Sequence, residues 1–114
     1  MQLDINNNEY ICVGDALKRI GGNMDLYKRL LLRFIDGNNI ESLETALQQG
    51  DMEESARLAH TLKGVSANLS LNGIRSASIG LEQAIKDGLD CSERFSELKR
   101  IFGATEEIIA EIAK

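Results

Sequence analysis

The last third of the chain sets Phe95, Leu98, Phe102, Thr105, Ile109 and Ile112 at steps of three and four residues, the spacing that lines one face of an α-helix. The same stepping recurs upstream. Leu58, Leu62, Val65 and Leu69 form one stripe, and Leu71, Ile74, Ser78, Leu81 and Ile85 form another. Leu26, Leu30 and Phe34 form a third that is broken or kinked at Gly37, Asn38 and Asn39 and resumes through Ile40, Leu43 and Leu47. The chain contains no proline at all, where average usage would put about six. Aromatics amount to Tyr10, Tyr27, Phe34, Phe95 and Phe102. A composition without proline and so poor in aromatics argues for an all-helical fold and against sandwiches and barrels.

Stop and start signals divide the stripes. A short first helix carries Val13, Leu17 and Ile20 and ends at Gly21 and Gly22. Asn23 is placed to cap the next segment, and Gly50 to close it as a left-handed C′ residue. Asp51 with Glu54, and Asp90 with Glu93, read as capping boxes opening the second and fourth long segments. The turn between the middle two falls at Ser70, and the Lys86, Asp87, Gly88 region closes the later one. Four amphipathic segments joined by short turns bury their stripes against one another, with neighbours antiparallel. The expected fold is all-α: an antiparallel up-and-down four-helix bundle with a short N-terminal accessory helix. At 114 residues it forms a single domain over residues 1–114, with no repeat or linker.

Thirteen Lys and Arg against eighteen Asp and Glu leave a net charge of −5, so the molecule as a whole repels nucleic acid and anionic membrane surfaces. No apolar run approaches the ~20 residues of a membrane span or serves as a signal peptide. The expectation is a cytoplasmic monomer, with no nucleic-acid or direct membrane contact. Cys12 and Cys91 lie far apart, with one histidine in the whole sequence to join them, which fits two reduced residues better than a disulfide or a zinc site.

That histidine, His60, falls about 160° from Leu62 around its helix and so faces solvent. An exposed histidine is ordinarily a surface residue, but its neighbours are unusual. Ala56, Gly64 and Ala67 stand four before, four after and seven after it, leaving a patch of minimal side chains that another molecule can approach. Arg57 and Lys63 lie about 60° to either side and place positive charge around an anion carried on the ring. Gly64 costs up to about 1 kcal/mol relative to Ala inside a helix. A close crossing within the bundle does not explain a glycine on the solvent pole, whereas clearance for an external partner does. Glu82 flanks the buried stripe of the following helix, either as a solvated edge carboxylate or as an acceptor reaching across the seam to orient the imidazole. Other chemistries lack residues. A di-metal bundle needs Glu-x-x-His pairs, yet Arg57 stands three before His60; Gly21-Gly22 carries no phosphate-loop pattern. A Ser-His-Asp hydrolase survives the count, but nothing marks an activated serine.

The run Leu58-Ala59-His60-Thr61-Leu62-Lys63-Gly64-Val65-Ser66-Ala67-Asn68-Leu69 resembles the signature of histidine-containing phosphotransfer (HPt) domains. Ala16-Leu17-Lys18-Arg19-Ile20-Gly21-Gly22-Asn23, then Leu26-Tyr27 and Phe34, is similar to the leading segment of HPt domains attached to hybrid sensor kinases. Gly50-Asp51 and Leu81-Glu82-Gln83-Ala84 also fit, so the resemblance covers most of the chain. It implies a phosphorelay intermediate in two-component signalling: His60 takes a phosphoryl group from an aspartyl phosphate on one response-regulator receiver domain and passes it to another receiver aspartate. Lys63 is then the phosphate-side cation and Gly64 the clearance residue. Glu82 stands where several relatives have a glutamine that bonds the histidine, and Ala56, Ala67 and Asn68 face the partner. The resemblance implies no cofactor on this chain, magnesium on the receiver, no autonomous kinase activity, and receivers with a hybrid sensor kinase as partners. Ser70 and Leu71 replace a more usual small pair, a change expected to alter the receiver footprint. The other reading of the same residues is a helical adaptor without phosphoryl chemistry. Met1 is compatible with a complete small protein or with the C-terminal piece of a hybrid kinase.

Overall fold

The computed structural model describes residues 4–114; the first three positions of the expected 1–114 domain lie outside the described residues. Six helices follow in order: α1 (Val13–Arg19), α2 (Met24–Asp36), α3 (Ile40–Gln48), α4 (Met52–Asn68), α5 (Asn72–Lys86) and α6 (Ser92–Ile112). No extended strand occurs among the described residues; an isolated bridge joins Asn7 and Cys12.

The interruption at Gly37–Asn39 is a full break, and Asn38 makes it. Its amide donates to the Ile35 carbonyl at 2.6 Å while its side-chain oxygen accepts from the Ile40 N–H at 3.0 Å. One side chain thus ends α2 and starts α3. Asn23 caps α2 by accepting from Leu26 N–H at 3.0 Å, and Asp51 caps α4 by accepting from Glu54 N–H at 3.1 Å. Gly50, at φ 70°, closes α3 in the left-handed conformation expected of it.

Three expectations need correction. The Asp51–Glu54 box is only half made, because the Asp51 N–H donates to Ala46 O at 2.9 Å and the Glu54 carboxylate accepts from Arg57. The capping box at Asp90 and Glu93 does not form: α6 begins one residue later with Cys91 as N-cap. Asp90 instead accepts from the Ser92 N–H and hydroxyl at 2.9 and 2.8 Å, a local turn that competes with capping. Val65, placed in the buried stripe, is 39% exposed. The inward face of α4 is Ser55, Leu58, Ala59, Leu62 and Ser66. Small side chains there let α5 approach, and the two serine hydroxyls are satisfied on their own helix, by Asp51 O at 2.7 Å and Lys63 O at 3.0 Å.

The core joins Tyr27, Leu31 and Phe34 of α2, Leu43 of α3, Leu58 and Leu62 of α4, Ile74 and Leu81 of α5, and Leu98, Phe102 and Ile109 of α6. Helix α4 packs most extensively on α5, α5 on α6, α3 on α4 and α2 on α6. Cys12 is half-buried, Cys91 is buried, and both are free thiols. No helix among the described residues is long and apolar enough to cross a membrane.

Candidate functional site

His60 sits midway along α4 on the side opposite the core, and its side chain is 69% exposed. The exposed half of the ring is free because the other half is anchored. Nδ1 lies 3.0 Å from Oε2 of Glu82, which reaches across from α5. Glu82 is not a solvated edge carboxylate: its side chain is only 8% exposed, and burying a carboxylate so far demands partners. Its second oxygen supplies the other, accepting from the Lys63 ammonium at 2.7 Å. Lys63 is one helical turn beyond His60, so two residues of α4 converge on one carboxylate of α5.

The Lys63 ammonium holds the Glu82 carboxyl below the usual carboxylate range; burial pushes the other way, and His60 adds to the lowering. At neutral pH Glu82 is therefore an anion that can only accept. The hydrogen atom in the His60–Glu82 bond must come from Nδ1, which leaves Nε2 of the neutral ring with its lone pair outward. The arrangement makes His60 an oriented nucleophile with a buried counter-charge behind it.

Gly64, one turn from His60 on the outer face, is an ordinary helical residue with no atom of another residue within 4 Å of where a Cβ would stand. Internal crowding therefore does not require glycine there. Ala56 and Ala67 are half-buried, with Ala56 packed on the core. Asn68 is exposed. Arg57 is exposed but engaged, its guanidinium donating to the Glu54 carboxylate, which raises its already high pKa. The structure thus gathers His60, Lys63 and Glu82 into one bonded group, leaves Gly64 beside it, and holds Arg57 on a different partner. Lys63, expected to face a phosphoryl group, is on Glu82 in this state.

Ser70 and Leu71 are both fully buried, so they offer a receiver no direct contact and bear on its footprint only through the turn at the end of α4. An open groove of about 510 Å³ runs between α2 and α4, with Leu30, Phe34, Thr61, Val65 and Asn68 among its lining. Among the described residues no three His, Cys, Asp or Glu side chains converge as a bound metal would require. Sequence spacing missed Asp15, Arg19 and Tyr27, whose side chains reach the end of α4. Their acceptors include backbone carbonyls more than forty residues away, which no local pattern encodes.

A family model described as "Hpt domain" matches residues 37–113. Comparison with curated proteins and with solved structures found no match.

Proposed function

The chain belongs to the Hpt domain family, which serves histidine phosphotransfer in phosphorelays, and on that premise we propose that His60 is the phosphoacceptor, loaded from a receiver aspartyl phosphate and unloaded onto a second receiver aspartate. The observation that carries this reading is the 3.0 Å bond from His60 Nδ1 to the buried Glu82, which leaves Nε2 as the nucleophile. In the step itself the Nε2 lone pair attacks phosphorus, the acyl-phosphate P–O bond breaks, and its electron pair returns to the receiver carboxylate. The ring becomes an imidazolium whose Nδ1 proton stays against Glu82, so the new positive charge forms where an anion already waits.

Lys63 has two acceptors within its range in turn, Glu82 before transfer and the phosphoryl oxygens after it. Arg57 is a more distant cation, shared with Glu54. Gly64 gives the receiver room to bring its aspartate to His60, and the groove lined by Val65 and Asn68 offers apolar surface next to that approach. Ala56 and Ala67 border the same contact. Magnesium is expected on the receiver, and no cofactor on this chain. The reading extends to a single domain, an antiparallel up-and-down bundle in which α2 and α3 share one corner, and to a cytoplasmic monomer serving a hybrid sensor kinase. Incubation with a phosphorylated receiver and magnesium tests it. Label should appear on the chain and then chase to a second, unphosphorylated receiver; a chain that takes no label from any receiver tried would end the proposal in favour of an adaptor.

A further inference from the structure

The last turn of α4 is held from outside the segment that matches the family. Four consecutive carbonyl oxygens at the end of this helix accept from the N-terminal part of the chain. Arg19 Nη1 donates to Ala67 O and Asn68 O, both at 3.0 Å. The Tyr27 hydroxyl donates to Leu69 O at 2.7 Å, and the Cys12 N–H to Ser70 O at 3.1 Å. Asp15 fixes the clamp by accepting from Arg19 and, at 2.8 Å, from the Ser70 hydroxyl. None of residues 12, 15, 19 and 27 lies within the matched span of 37–113.

A helix C-terminus presents unpaired carbonyls and the negative end of the helix dipole, so a guanidinium there both satisfies acceptors and is attracted to them. The turn it holds begins seven residues beyond His60, about 10 Å along the helix. Exposed Asn68 belongs to that turn, exposed Val65 lies two residues before it, and both line the groove between α4 and α2. Fraying of the turn would leave His60 and Glu82 untouched and deform the surface beside them.

We propose that Arg19 is a positioning residue for phosphotransfer, setting the C-terminal turn of α4 so that a receiver can dock next to His60. This rests on the phosphotransfer reading, and the test separates the two. The probes are a phosphorylated receiver domain from which the wild-type chain takes label, and phosphoramidate, a small donor that needs no docking surface. Arg19→Ala should raise the KM for the receiver about two- to fivefold, the range that loss of a charge at a helix terminus converts to, with kcat and the phosphoramidate rate unchanged. Arg19→Lys, able to reach one carbonyl, should recover part of the KM. Lys18→Ala, an exposed neighbour on the same helix, should change nothing. If Arg19→Ala does not fold, Asp15→Asn leaves the arginine present but unanchored and should shift KM in the same direction by less. An unchanged KM, or a phosphoramidate rate that falls in step with it, overturns the proposal. Failure of wild-type His60 to take label from either donor would overturn the underlying reading instead.

Discussion

Replacing Glu82 by glutamine keeps an acceptor opposite His60 Nδ1 and removes the charge, which isolates what the anion contributes. In the native site the carboxylate is buried, 3.0 Å from Nδ1 and 2.7 Å from the Lys63 ammonium. A glutamine oxygen can still take the Nδ1 proton, so Nε2 remains the free nitrogen and the attack geometry survives. What is lost is stabilisation of the imidazolium that phosphorylation creates. Hydrogen bonds to charged groups contribute about 1.5–3 kcal/mol and neutral ones about 0.5–1.5. Because the ring is largely exposed and solvent screens it, the lower end of the difference applies, about 1 kcal/mol, or about fivefold in an equilibrium. The assay is the partition of label between the chain and a receiver at equilibrium. Glu82→Gln should move it about fivefold toward the receiver while nitrogen NMR still finds the proton on Nδ1. Glu82→Ala, with no acceptor, should lose that tautomer preference as well and label more slowly. An unchanged partition in Glu82→Gln would refute the charge argument.

Acid should reveal the same carboxylate in the stability. Its folded pKa is depressed below the ordinary 4.5, so its contribution is complete above that pH and is lost as pH falls toward the folded value. The stability difference between wild type and Glu82→Gln should hold near neutral pH and shrink below about 4.5, and a difference constant through the acid range would contradict this. Gly64→Ala should gain up to about 1 kcal/mol in denaturant unfolding, because its Cβ meets nothing within 4 Å, with modestly slower transfer. Gly64→Leu should fold, lose transfer from receivers and keep labelling by phosphoramidate; wild-type receiver rates in it would remove clearance as the reason for glycine. Ser70 holds φ at 55°, so Ser70→Ala, which keeps that backbone and loses the bond to Asp15, should be less stable than Ser70→Gly by about 1 kcal/mol. Equal melting of the two variants would count against strain there.

The helices are legible because apolar spacing and end signals agree: Asn23 and Asp51 cap the starts of α2 and α4, and Gly50 closes α3. Periodicity counts apolar residues as core and so puts Val65 inside, whereas the buried face of α4 includes the small residues Ser55, Ala59 and Ser66. Asp90 was misread because an Asp two residues before a backbone N–H can serve a turn as readily as a cap. At the site, angles around α4 were enough to expose His60, and the seam position of Glu82 left both of its readings open until the coordinates set it against Nδ1. Lys63, expected beside an anion on the ring, rests on Glu82, since a sequence does not say which anion a flexible ammonium prefers. The clamp of Arg19, Asp15 and Tyr27 on α4 could not be read, because the sequence carries no signal for a bond to a distant main-chain oxygen.

In the proposed relay His60 itself carries the phosphoryl group. The most direct measurement is to load the chain from a phosphorylated receiver with magnesium, locate the label by fragmentation, and follow its lability. Label should fall on the peptide containing His60, be lost in mild acid and be retained in alkali as a P–N bond requires, with none on a His60→Gln variant whose helical dichroism and melting match wild type. Label retained in His60→Gln, or an alkali-labile adduct on a carboxylate, would contradict it.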